Sequence, residues 1–138
     1  MVLLYSHAAL FVAKGSRPFN DSVLADIPAF IRSVLTYKGV ECVDVCVMPD
    51  HVHILMKMQH QTDLLHALQT LQYWLQDCVV RNSNQHAFEW DERVWVVSKS
   101  PSDIESVRKY FHKQAAYHEH TCINQEWYDM LDLEEIDD

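Results

Sequence analysis

"VECVDVCVMPDHVHILMKM", residues Val40 to Met58, carries the reading on which the fold turns. Val43, Val45 and Val47 alternate in the first half, so Val40 to Met48 reads as a strand. Pro49-Asp50 is turn chemistry, and His51 to Met58 is a second strand. Two strands so close in sequence pair as an antiparallel hairpin. In the second strand, Val52, Ile54, Met56 and Met58 share one face, suited to packing on helices. His51, His53, Leu55 and Lys57 share the other.

Working outward, Val2 to Val12 is apolar and reads as a first strand, leaving through the turn Lys14-Gly15-Ser16-Arg17-Pro18. Asn20 or Asp21 caps a helix whose apolar positions (Val23, Leu24, Ile27, Phe30, Ile31, Val34, Leu35) recur at helical spacing. It is expected to stop near Gly39. Beyond the hairpin, Thr62 or Asp63 opens a helix with Leu64, Leu65, Leu68, Leu71, Trp74, Leu75 and Val79 on its apolar face. Arg81 to Gln85 reads as polar loop, and Val94 to Ser98 as a short strand. Ser100-Pro101-Ser102-Asp103 starts a third helix, where Ser102 and Glu105 have capping-box spacing, running past Gln114 towards His118. The order is β-α-β-β-α-β plus a helix: an α+β, ferredoxin-like antiparallel sheet with an added C-terminal helix that carries Tyr110. That helix is expected to cover part of the second sheet face.

Composition narrows the class. The 138 residues are 49% hydrophobic with only two glycines and four prolines, enough for one core and no long linker. Residues 1–125 form one domain and 126–138 an acidic tail. The net charge is -9, but that tail holds seven carboxylates and no base, so the body is close to neutral. Nucleic acid therefore stays open as a partner. No stretch spans a bilayer and no signal peptide begins the chain, which predicts a cytoplasmic protein without a membrane partner. Cys42, Cys46, Cys78 and Cys122 form no CxxC and read as reduced packing residues.

His51 and His53 project together from one strand face, which fits half of a metal site. It fits equally two hydrogen-bonded histidines at a strand end. Tyr110 and Gln114, four apart, share a helix face. They too admit an ordinary reading, as a packing tyrosine beside a solvated amide. The conjunction of the two pairs is more specific than either.

With both pairs in view, the chain resembles the HUH single-strand DNA transposases with one catalytic tyrosine. These include the insertion-sequence and REP-associated tyrosine transposases. The likeness lies in "MPDHVHILMKM", in "AKGSRPF" with its Arg-Pro turn, in "FEWDERVWVVSKSPSDIESVRKYFHKQ", and in "QAAYHEHTCINQEW" after the tyrosine. The resemblance implies a metal-dependent transposase that cleaves and rejoins single-stranded DNA at hairpin ends. His51, His53 and Gln114 would hold Mg2+ or Mn2+. Tyr110 would attack the scissile phosphate, leaving a 5′-phosphotyrosine and a free 3′-hydroxyl. A homodimer is implied as well. The donor set agrees, since nitrogen and oxygen ligands without thiolate suit these ions better than structural zinc.

One departure stands out. The helix "LLHALQTLQYWLQDCVV" has no Lys or Arg before Arg81, where relatives place bases that contact DNA. Phosphate contacts then fall to Lys14, Arg17, Lys57, Arg108 and Lys113, with Arg93 and Lys99 as further candidates. Arg108, Lys109 and Lys113 also lie near enough in sequence to activate Tyr110. Tyr73, Trp74 and Trp90 are read as core or dimer packing rather than stacking platforms. Tyr117 is read as a substitution for a family histidine, and His118 and His120 as a solvated helix end. Asp50 is read as shaping the turn, with assistance to a metal by Asp44 or Asp50 as the other option. Two further readings remain: a catalytically inert, domesticated nucleic-acid-binding descendant, and a small metalloprotein unrelated to DNA.

Overall fold

The computed structural model describes residues 4–16, 19–58, 63–83 and 88–114. Four strands, β1 (Leu4–Val12), β2 (Val40–Met48), β3 (His51–Met58) and β4 (Trp90–Lys99), form one antiparallel sheet in the order β2-β3-β1-β4. The helices are α1 (Asp21–Leu24), α2 (Ile27–Tyr37), α3 (Leu64–Ser83) and α4 (Ile104–His112), with a 3-10 turn at Pro101–Asp103. This is the ferredoxin-like order expected of the sequence, with the extra helix in place.

The β2–β3 hairpin turns on Pro49 and Asp50, and Met48 faces His51 across it. Both turn carbonyls are used: Val12 N–H donates to Asp50 at 2.9 Å and Phe19 N–H to Pro49 at 2.7 Å. The corner is therefore tied to the exit of β1. Val52, Ile54 and Met56 lie fully buried with Ala8, Leu10, Ile31, Leu35, Leu68 and Leu71, so this face of the sheet carries α2 and α3. The opposite face receives α4 through a smaller cluster of Leu55, Val107 and Phe111.

Helix boundaries follow local chemistry. The expected first helix is two, α1 and α2, because Pro28 occupies the first turn of α2. Proline has no N–H to donate to Leu24, so a continuous helix cannot form there. Asn20 caps α1, its Oδ1 accepting from Ser22 N–H at 3.3 Å. Asp63 caps α3, accepting from His66 N–H at 3.0 Å. Gly39 follows α2 with φ +77°, the left-handed conformation that ends helices.

Four boundaries differ from expectation. Helix α3 runs through Arg81 to Ser83, where polar residues predicted loop; Arg81 pairs with Asp77 one turn back at 3.1 Å. Strand β4 starts at Trp90 because it pairs with β1 as far as Val12. The cap ahead of α4 is Ser100 with Asp103, not Ser102 with Glu105. The Asp103 carboxylate accepts from Ser100 N–H and its hydroxyl at 3.1 and 2.9 Å. These bonds hold the Asp103 carboxyl below its usual range. Finally, α4 ends at His112 with a turn at Lys113, and the chain is helical again at Gln114. Continuation to His118, the acidic tail, and Arg17, Tyr117, His120 and Cys122 fall outside the described residues.

Tyr73 is not core: it is 74% exposed, and Trp74 is 38% exposed. Trp90 does pack on the core, its indole N–H donating to the Gln72 carbonyl at 2.9 Å. Cys42 and Cys78 are free thiols. Among the described residues no helix is long and apolar enough to cross a membrane.

Candidate metal and tyrosine site

Register brings the site together. His53 lies opposite Ala9 of β1 and Cys46 of β2, while His51 lies opposite Phe11 and Met48. Directly paired residues share a sheet face, so both imidazoles lie on the face that α4 covers. Both are fully buried, with ring centroids 5.0 Å apart and nearly perpendicular. Phe11 stacks on His51 at 5.7 Å. Burying two imidazoles demands partners for their nitrogens.

His51 is held at both ends. Its Nδ1 lies 2.8 Å from Asp50 Oδ1, and its Nε2 lies 3.0 Å from Gln114 Oε1. A carboxylate accepts only, so Nδ1 carries a proton towards Asp50. Nε2 then presents a lone pair to a carbonyl oxygen, itself an acceptor. Without a cation, that contact needs a second proton on His51 or a turn of the Gln114 amide. With one, both lone pairs are used: cis ligands at about 2.1 Å from an octahedral ion stand about 3 Å apart. The donor chemistry and the 3.0 Å spacing thus fit Mg2+ or Mn2+. Asp50 acts on His51 rather than standing beside it as a further ligand.

Tyr110, half-buried on α4, meets His53 edge-on at 5.3 Å between ring centroids. Val107 and Phe111, buried on Leu55, fix the helix against the sheet. Asp44, next to a bulge in β2, reaches the same helix: Arg108 Nε is 3.4 Å and His112 Nε2 3.6 Å from its Oδ2. Asp44 thus tethers α4 and does not join the two histidines. Arg108 faces this carboxylate, and Lys109 faces Glu105 at 3.4 Å. Neither is a bare cation beside the tyrosine.

One site residue escaped the sequence reading. His7 of β1 is buried, and its Nε2 lies 3.0 Å from His53 Nδ1. It also contacts Trp95, Phe111 and Tyr110, at 4.7, 5.1 and 6.1 Å between rings. Burial, then the charges of His53 and Lys99, push its pKa well below the ordinary histidine value, so it is neutral. A single histidine in an apolar strand gives no spacing signal. Its position on the odd-numbered face of β1 was the available clue.

Lys57 pairs with Tyr5 across the sheet, and so does Lys99, which places both lysines on the α4 face. Lys14 and Lys113 are exposed. Among the described residues, no three His, Cys, Asp or Glu side chains converge as a metal cluster. The set described above is two imidazoles and an amide. A groove lined by Phe30, Val34, Trp74, Asp77, Cys78 and Arg81 lies on the α2–α3 layer, across the sheet from the histidines.

Comparison with known proteins gives a consistent picture. Residues 1–114 match the family described as "Transposase IS200 like". A candidate transposase of Deinococcus radiodurans R1 superposes with a TM-score of 0.63 at 19% identity, over 83% of this chain and 92% of that one. A REP-associated tyrosine transposase bound to a REP hairpin superposes with a TM-score of 0.65 at 12% identity, over 83% of this chain and 68% of the other. At these identities the two structures share the fold. No curated protein matches the chain.

Proposed function

This chain belongs to the family of IS200-like transposases, and from that premise we propose that it cuts and rejoins single-stranded DNA through Tyr110. The observation that carries the reading is convergence. His51 meets Gln114, 63 residues away in sequence, and His53 beside it meets the tyrosine of α4, all in one buried site. His51, His53 and Gln114 would hold Mg2+ or Mn2+, which would supply neutralisation of the charge building on the phosphate oxygens.

The remaining work falls to the chain's own residues. Asp50 keeps the His51 proton on Nδ1 and so leaves Nε2 for binding. The Tyr110 hydroxyl attacks phosphorus and releases its proton to solvent, which returns a proton to the departing oxygen. The bond from phosphorus to the 3′-oxygen breaks, and that oxygen leaves as a protonated 3′-hydroxyl. Attack by a different 3′-hydroxyl reverses the step, frees Tyr110 and joins the strands. The phosphodiester energy is kept in the tyrosine ester, so no nucleotide cofactor is needed. Lys14, Arg17, Lys57, Arg108 and Lys113 contact the DNA backbone. The hairpin is the substrate form we favour, because a structural neighbour is bound to one.

The same reading takes residues 1–125 as one domain with an acidic tail, acting in the cytoplasm. It also takes the chain as a homodimer, supported by the exposed Tyr37, Leu65 and Tyr73 side chains. An inert, nucleic-acid-binding descendant is the second reading. It is favoured by α3, whose sequence lacks bases before Arg81 and whose Arg81 is paired with Asp77.

The test uses single-stranded hairpins labelled at the 3′ end, incubated with Mn2+ and run on denaturing gels. Label should migrate with the wild-type protein and not with Tyr110→Phe. Mn2+ binding without any adduct, across a broad hairpin library, would establish the inert descendant.

A further inference from the structure

His7 is the buried titratable group that the proposed reaction leaves without a task. The contact between His7 Nε2 and His53 Nδ1, at 3.0 Å, joins two ring nitrogens inside the protein. One must donate and the other accept, which leaves two arrangements. If His7 donates, the His53 proton sits on Nε2, and the ring has no lone pair left for a metal. If His53 donates from Nδ1, its Nε2 carries the lone pair. Only the second is compatible with His53 as a ligand through Nε2.

Resting on the metal-site reading above, we infer that His7 is a positioning residue that accepts the Nδ1 proton of His53 and thereby fixes its Nε2 as the metal-binding nitrogen. The two histidines are then backed differently. His51 leans on the Asp50 carboxylate, whose side chain is 52% exposed, and His53 on an imidazole inside the core. A carboxylate in the place of His7 would bring a charge into a position that is 4% exposed, at high desolvation cost. An imidazole supplies the acceptor without that charge. Its ring also packs on Trp95 and Phe111, so it seats α4 over the histidines while holding the tautomer.

The obvious objection is that His7 merely fills space, and two variants separate the alternatives. His7→Phe keeps an aromatic ring and removes the acceptor. His7→Gln places an amide oxygen close to where Nε2 stands. Mn2+ affinity of the full chain is measured by electron paramagnetic resonance, beside thermal melting of the metal-free protein. Loss of such an outer partner weakens metal binding by about 10- to 100-fold. We expect that loss in His7→Phe and its recovery in His7→Gln. Equal Mn2+ affinity in wild type and His7→Phe would overturn the inference while leaving the metal site intact. Failure of wild type to bind Mn2+ more tightly than a His51→Ala/His53→Ala double variant would remove the site itself, and the inference with it. Should His7→Phe not fold, long-range proton–nitrogen correlation spectra of metal-free wild type decide the matter. His53 is expected as the Nδ1–H tautomer, and an Nε2–H tautomer refutes the role of His7.

Discussion

At the scale of single residues, what could be read from the sequence was what repeats. His51 and His53 announce themselves because strand period places them on one face, and the resemblance assigned them a ligand role. His7 does not, because its partner is 46 residues away and only sheet register joins them. Asp50 was read as turn chemistry, which it is, but its carboxylate also sets the His51 proton. Cysteine chemistry is a residue-scale case where burial decides. Cys42 is half-buried beside Asp44, and burial pushes its thiol up to about 11, against the opposing pull of Arg32. Relative to an ordinary thiol near 9.0, its thiolate at pH 8 is scarcer by on the order of 100-fold. Alkylation by iodoacetamide, followed peptide by peptide in a mass spectrometer, should therefore be slow at Cys42 at pH 8. It should accelerate steeply up to pH 10 in the folded protein. A Cys42 peptide that reacts at pH 8 as fast as in denatured chain contradicts this account.

At the scale of elements, helical period gave α2, α3 and α4 but not their ends. Pro28 splits the first helix by removing one donor, and the Ser100–Asp103 bonds place the cap at Ser100, on the 3-10 turn that leads into α4. Neither outcome follows from apolar spacing, which counts side-chain faces and is blind to backbone donors. How α4 stays on the sheet was also invisible, since Leu55, Asp44 and the helix meet only in three dimensions. Two kinds of contact hold it: the Leu55–Val107–Phe111 cluster and the Asp44 contacts to Arg108 and His112. Their magnitudes differ. Truncating a buried phenylalanine costs about 3 to 5 kcal/mol, whereas an ion pair whose arginine is half exposed is worth about 1 kcal/mol at most. Phe111→Ala should accordingly lower unfolding free energy in urea several times more than Asp44→Ala. It should also abolish adduct formation, by loosening Tyr110 from His53. If Asp44→Ala proves the more damaging, α4 is held electrostatically and the packing account fails.

At the scale of the whole molecule, the two sheet faces divide the labour, and this division follows from one alternating pattern. The even positions of β3 and β1 carry the core with α2 and α3; the odd positions carry the histidines, with Lys57 and Lys99 towards the far end. The α4 side presents Lys57, Lys99, Arg108 and Lys113, while α3 offers only Arg81, paired with Asp77. A single strand bound along the α4 side would therefore meet few cations, and one of them, Arg108, is engaged by Asp44. Each neutralised phosphate of a single strand adds about 0.7 to the slope of log affinity against log salt. The five proposed contacts thus cap that slope near 3.5 in magnitude. Fluorescence anisotropy with a labelled hairpin between 50 and 200 mM salt, ranges in which such slopes are resolved, provides the measurement. Removing Lys57 and Lys113 together should flatten the slope by about 1.4, two phosphates' worth. Arg81→Ala should leave it unchanged, because its guanidinium sits on the opposite layer. A slope that responds to Arg81 and ignores the lysine pair would place the DNA on the α3 face and overturn the assignment of the α4 side as the binding surface.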